Sequence, residues 1–80
     1  MLHALLTNPA PAIRSAALDL ALEWRDLDAV STAIGDPVIP IAARAAIEYA
    51  ARTSQAACDA ELNALDPAHA ALVRNRLREF

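Results

Sequence analysis

Two carboxylates one helical turn apart, Asp19 and Glu23, have the best spacing in this sequence for acid–base chemistry or for holding a hard metal ion. They belong to an acidic cluster that continues with Asp26 and Asp28. A hydrolase needs a cleft around its two carboxylates, and a Ca²⁺ or Mg²⁺ site needs more oxygen ligands than this pair supplies. We therefore interpret the cluster as a solvated face or as a surface for a basic partner, and predict neither a catalytic nor a metal site there.

The other reactive or ligating side chains are isolated along the chain. His3 and His69 have no second ligand at suitable spacing on the same helix, so each is expected at the surface or at an edge. Cys58 is in helical phase with Leu62, which favours a small buried hydrophobe over a nucleophile. Gly35 is the only glycine, which rules out a glycine-rich phosphate loop. The sequence thus predicts no catalytic residue and no cofactor, and we do not expect an enzyme.

All seven basic residues are arginines, and Arg14, Arg44 and Arg74 recur at intervals of 30. Guanidinium groups bind carboxylates or phosphates through two parallel hydrogen bonds, so this series could face a ligand. The alternative, which we prefer, is structural pairing between neighbouring parts of the fold. Arg74, Arg76 and Arg78 at the C-terminus are interpreted as a solvated helix end that the helix dipole favours, rather than as a phosphate site.

Trp24 is the largest side chain in the sequence and lies at the end of the first predicted long helix. Packing in the core is the default interpretation. The alternative is an anchor in a protein interface, where tryptophan is enriched. Arg14, Trp24, Arg44 and Arg74 are accordingly the candidate partner-binding residues.

Composition predicts one all-α domain over residues 1–80. The chain is 56% hydrophobic, but much of this is alanine, and Phe, Trp and Tyr occur once each. Alanine is the best helix former, whereas apolar and polar residues never alternate over the length of a strand. At this length a domain buries only about 60 to 65% of the surface that its unfolded chain exposes. Its core must therefore consist of helices that approach closely.

Charge and hydropathy limit the partners. A net charge of −3 disfavours a dedicated nucleic-acid binder, which needs a large basic surface. The longest apolar stretch, 37–43, is far shorter than the roughly 20 residues that span a bilayer, so no membrane helix is expected. A single cysteine suits a reducing compartment. We expect a soluble, cytoplasmic protein.

Three Asx-Pro pairs predict the corners between helices, because such a side chain can cap a helix in whose first turn proline is tolerated. They are Asn8-Pro9, Asp36-Pro37 and Asp66-Pro67. The predicted long helices run from Pro11 to about Arg25, with Ile13 and Trp24 on the buried face, from about Pro40 to Arg52, and from about Ala68 toward Phe80. Short helices are expected over Met1 to Leu6, after an N-cap at Asp26 or Asp28 and before a left-handed stop at Gly35, and after Thr53-Ser54.

The first two long helices repeat each other in sequence. When Pro11 is aligned with Pro40, residues 16–21 align with residues 45–50 as identical or conservative pairs. We call this alignment the Pro11–Pro40 register. The third copy is weaker, as terminal repeats often are.

This order of short helix, Asx-Pro corner and long helix with an arginine and a double alanine resembles HEAT-like repeats, especially the class of about 30 residues in bacterial phycobilin-lyase-type proteins. Residues 6–18 carry the closest match. The resemblance implies a short α-solenoid of about two and a half helix-turn-helix repeats. It also implies a ladder of corner residues and arginines, with Asn8, Asp36 and Asp66 as the partners of Arg14, Arg44 and Arg74. The ladder is expected to be irregular, since the corner-to-arginine spacing is six residues once and eight residues twice.

The expected function is that of a protein-interaction or scaffold module, whose partner is another protein or a second copy. It could be part of a longer repeat protein, because the first unit has too short a leading helix to form a polar cap. Two alternatives remain: nucleic-acid binding through the arginine series, which the acidic charge disfavours, and a non-catalytic subunit of an enzyme.

Overall fold

Alanine-rich segments separated by proline corners form six α-helices in the computed structural model, which describes residues 2–79. The helices are α1 (Leu2–Leu6), α2 (Pro11–Glu23), α3 (Leu27–Ile34), α4 (Ile39–Arg52), α5 (Gln55–Asn63) and α6 (Pro67–Leu77). The described residues contain no strand, so the predicted all-α class is confirmed. Met1 and Phe80, to which the first and last predicted helices extended, lie outside the described residues.

Side-chain caps fix where three of the helices begin. The side chain of Asp26 accepts a hydrogen bond from the amide of Ala29 at the start of α3, and Ser54 does the same for α5. Asp66 caps α6 through the amide of His69. Proline occupies the first turn of α2, α4 and α6, where its missing N–H leaves no helical hydrogen bond unmade. The predicted capping by the Asx-Pro pairs is confirmed only for Asp66. The helices α2 and α4 have no side-chain cap, and Asn8 and Asp36 accept from the amides of Ala10 and Val38 just before them.

The end of α2 corrects the prediction about Gly35. Gly35 has φ −82°, an ordinary right-handed value, so it does not supply a left-handed stop. The left-handed residue is instead Arg25, with φ 56°. The amide of Asp26 donates to the carbonyl of Ala21 at 2.9 Å and that of Arg25 donates to Leu22 at 3.2 Å, which is the Schellman pattern that usually carries glycine.

Each helix contacts its neighbours along the chain. The odd-numbered helices α1, α3 and α5 contact one another in that order, and so do the even-numbered helices α2, α4 and α6. The backbones of α1 and α2 approach neither α5 nor α6 closely. α2 and α4 run in the same direction, since Arg14 near the start of α2 binds Asp36 just before α4, and Arg44 in α4 binds Asp19 in α2.

The core lies around α4, which contacts every described helix except α1. Its buried surface is largely alanine, and alanine methyl groups let neighbouring helices approach closely. Larger apolar side chains from the surrounding helices complete the core, and the fully buried ones are Leu18, Val30, Ile34, Leu62 and Val73. No helix among residues 2–79 has both the length and the apolar character to cross a membrane.

The predicted buried face of α2 is wrong at both ends. Ile13 is 42% exposed and Trp24 is 58% exposed. The buried residues of α2 are Arg14, Ala17, Leu18 and Ala21. The helix therefore buries a different face from the one predicted. Arg14, whose internal partner is Asp36, is buried at the end of the helix where the pattern had placed Ile13.

Two substitutions test whether the left-handed residue is Arg25 and not Gly35. Arg25→Gly removes the cost of a left-handed Cβ, and we expect it to stabilise the domain by about 0.5 to 1 kcal/mol. Gly35→Ala is the matched change. Its added Cβ would lie 3.4 Å from the carbonyl oxygen of Thr32, an ordinary contact, so we expect no loss of stability. Urea unfolding followed by circular dichroism measures both, and a loss of about 1 kcal/mol or more in either variant would contradict the assignment.

Candidate functional site

A buried ion pair joins the first two corners of the fold. Nε of Arg14 lies 2.8 Å from Oδ2 of Asp36, and Nη2 lies 3.4 Å from Oδ1. The two side chains are only 9% and 3% exposed. Nη1 of Arg14 also donates to the main-chain carbonyls of Asn8 and Pro9, at 2.8 and 3.1 Å. Arg14 is thus satisfied internally and is not an exposed cation for a ligand in solution.

The two joined corners have the same local structure. Oδ1 of Asp36 accepts from the amide of Val38 at 2.8 Å, as Oδ1 of Asn8 accepts from Ala10 at 2.9 Å. Each is an Asx turn, in which the side-chain oxygen accepts a hydrogen bond from the backbone amide two residues later. A pocket of about 290 Å³ lies beside these corners, and Arg14 and Asp36 are among its lining residues. Since their charges are already paired, this pocket holds no free ionic group for a ligand.

His69 joins the third corner to the second. Its Nε2 lies 2.9 Å from the carbonyl oxygen of Ile34, the last residue of α3. A carbonyl can only accept, so Nε2 must carry the proton and donate. Sequence reasoning placed His69 at the surface or at an edge. It is half-buried, and its bond across 35 residues of sequence is structural. The one available signal was its position in the first turn after Asp66.

None of the side-chain pairs of the predicted ladder forms. Arg14 pairs with Asp36 instead of the Asn8 side chain, which accepts from the amide of Ala10. Arg44 binds Asp19 rather than Asp36, and Arg74 donates to Oδ1 of Asn63 at 2.9 Å rather than to Asp66. The Pro11–Pro40 register aligns Arg14 with Ala43 and not with Arg44. The buried Ala43 therefore takes the place equivalent to Arg14, and a side chain one residue further points about 100° away around the helix.

The residues of the acidic cluster have different structural partners. Asp19 binds Arg44 on the surface, and Asp26 caps α3. Among residues 2–79 no three His, Cys, Asp or Glu side chains lie close enough together to hold a metal ion. The absence of a catalytic, metal or cofactor site stays a prediction.

Cys58 is buried, as its phase with Leu62 predicted. Its Sγ lies 3.5 Å from the carbonyl oxygen of Ala46. Burial raises the pKa of the thiol, and Asp59 raises it further, while Arg74 opposes them. Because the thiolate is the reactive form, this environment disfavours a nucleophilic role.

Trp24 and Arg25 lie at the opposite edge from the corners, where α2 ends. We call Trp24, Arg25, Leu27 and Arg52 the Trp24 edge. Arg25, Leu27 and Arg52 line a pocket of about 480 Å³ there. Arg52 forms an ion pair with Glu48 one turn earlier in α4. Within the described residues the Arg25 side chain has no hydrogen-bonding or ionic partner.

No described contact joins the four candidate partner-binding residues to one another. Arg14 is buried at the corners, Arg44 binds Asp19, Arg74 binds Asn63, and Trp24 is exposed at the end of α2. Sequence reasoning missed that Arg25 and Arg52 line one pocket, because only the fold brings the ends of α2 and α4 together.

No protein-family model, no curated protein and no solved structure matches this chain. The resemblance to HEAT-like repeats thus stays a prediction from the sequence.

Replacing His69 tests whether it holds the third corner. His69→Ala removes the donor to Ile34, and we expect it to destabilise the domain by about 1 kcal/mol more than His3→Ala, an exposed control with the same change in helix propensity. His69→Gln keeps an N–H donor and should recover part of the loss. Urea unfolding of the three variants provides the comparison, and equal effects of His69→Ala and His3→Ala would show that the bond contributes nothing.

Proposed function

We propose that this chain is a HEAT-like helical-repeat module that binds another protein through its Trp24 edge. The Pro11–Pro40 register supports the architectural part of this proposal, as do the contacts in series within the odd-numbered and the even-numbered helices. Stacked two-helix units of this kind share one core and present their remaining faces to partners. The proposed arrangement is a short α-solenoid.

The exposure of Trp24 carries the functional part. A tryptophan that is 58% exposed leaves most of a large apolar ring in water, although the core has no other indole and few large side chains. Trp, Tyr and Arg dominate the binding energy of protein interfaces. Trp24 is followed by Arg25 and lies at the end of a 13-residue helix, so the two side chains project from a well-supported point of the fold.

Nucleic-acid binding has less support from the charge distribution. It would need the arginines together on one surface with the acidic residues turned away. Arg14 is buried against Asp36, and the exposed Arg44, Arg52 and Arg76 are each paired with a carboxylate. Such mixed charge weakens the attraction to phosphates.

A capture experiment tests the proposal. The chain is used as bait in a lysate of its source organism treated with nuclease, beside Trp24→Ala and Leu72→Ala, and bound proteins are identified by mass spectrometry. Leu72 is a matched control, because it is 54% exposed on another helix. We expect Trp24→Ala to weaken capture of a defined partner about 30-fold, the effect of losing an interface anchor, while Leu72→Ala retains it.

Both substitutions are at exposed positions, and urea unfolding of the two variants confirms that they are folded. Sedimentation of the bait alone distinguishes a second copy from a different partner. A monomeric bait that captures no protein, or equal capture by all three baits, would contradict the proposal.

A further inference from the structure

The pocket at the Trp24 edge has a simple chemical character. Its lining residues are two arginines and one leucine: Arg25 follows α2, Leu27 begins α3 and Arg52 ends α4. No carboxylate of the described residues lines it. The nearest acidic residues in sequence are engaged, since Asp26 caps α3 and Glu48 binds Arg52. Glu23 and Asp28 are exposed and are not among the lining residues.

Arg25 is an unusual residue type for its backbone conformation. A left-handed residue in a Schellman motif is usually glycine, because a Cβ is strained in that conformation. Arg25 nevertheless has φ 56°, an exposed side chain and no internal ionic partner among residues 2–79. The Schellman hydrogen bonds fix this backbone conformation, but no internal contact of the described side chain explains why an arginine occupies it, which points to a function for that side chain.

Arg52 is also able to bind an external group. Its ion pair with Glu48 lies on the surface, with side chains 37% and 33% exposed. Exposed pairs of this kind contribute little free energy, so a further carboxylate meets small resistance. Guanidinium groups bind carboxylates with good geometry, and Leu27 offers an apolar contact between them.

We infer that the Trp24 edge binds an acidic peptide segment of the partner, with carboxylates on Arg25 and Arg52 and an apolar side chain against Leu27 and Trp24. This inference rests on the proposed function and names the chemistry of its partner. The lining residues favour a negatively charged segment over a basic one, because Arg25 has no carboxylate partner among the described residues and Arg52 has only the exposed Glu48.

Trp24 provides the measurement, because it is the only tryptophan and lies beside Arg25. Its fluorescence is recorded during titration with a short blocked peptide that alternates glutamate and leucine. The same peptide with glutamine in place of glutamate is the uncharged control. We expect the acidic peptide alone to shift the Trp24 emission to shorter wavelength, and added salt to weaken its binding because exposed charges are screened.

A double variant, Arg25→Gln with Arg52→Gln, removes the two guanidinium groups. We expect at least about fivefold weaker binding of the acidic peptide, the loss of two exposed ion pairs. The matched control is Arg76→Gln with Arg78→Gln, which removes the same charge from the end of α6 and should change the affinity less than about twofold. Urea unfolding confirms that both double variants are folded.

The inference is overturned if the acidic peptide leaves the Trp24 emission unchanged, if the glutamine peptide binds equally well, or if both double variants weaken binding alike. These results are separable from a failure of the proposed function. A defined partner whose capture depends on Trp24 but is insensitive to salt and to Arg25→Gln with Arg52→Gln would leave the interaction module standing and reject its acidic ligand.

Discussion

The buried ion pair between Arg14 and Asp36 is the constraint on which the rest of the fold depends. A charged group removed from water costs several kcal/mol unless an opposite charge and further hydrogen bonds replace the lost hydration. Here the carbonyls of Asn8 and Pro9 accept further hydrogen bonds from the guanidinium, and the amide of Val38 donates a further one to the carboxylate. An 80-residue domain has a total stability of only about 4 to 12 kcal/mol. The first two corners are therefore unable to separate without a loss comparable to that total.

This constraint gives the two edges of the molecule different characters. At the corners, backbone carbonyls, Asx side chains, Arg14 and His69 satisfy one another, and the charges of Arg14 and Asp36 are already paired. Fixing the starts of α2 and α4 there also fixes their direction, since the two helices run side by side and end at the Trp24 edge. At the Trp24 edge the charged groups have few internal contacts. Arg25 has no internal partner among the described residues, and Arg52 has only a surface ion pair with Glu48. The proposed binding function follows from this difference.

Much of the fold could be predicted from the sequence, and the reasons are local. Proline and Asx residues fix helix starts through the backbone, and the Pro11–Pro40 register placed the alanines that form the core. What failed depended on long-range packing. An alanine-rich helix has little contrast between its faces, so the pattern could not show that α2 buries Arg14 and exposes Ile13 and Trp24. Because glycine is the usual left-handed residue, the sequence predicted that conformation at Gly35, whereas Arg25 adopts it. The bond from His69 to Ile34 joins distant segments and has almost no sequence signal.

A double-mutant cycle on Arg14→Gln and Asp36→Asn tests the central claim most directly. Urea unfolding of the parent, both single variants and the double variant would be measured with sucrose present throughout, so that all four are folded at the start. We predict a loss of about 3 kcal/mol or more for each single variant, because each leaves an uncompensated buried charge. The double variant should be more stable than the sum of the two losses implies, by at least about 2 kcal/mol. Losses that add to within about 0.5 kcal/mol would show that the two side chains act independently and would contradict the account.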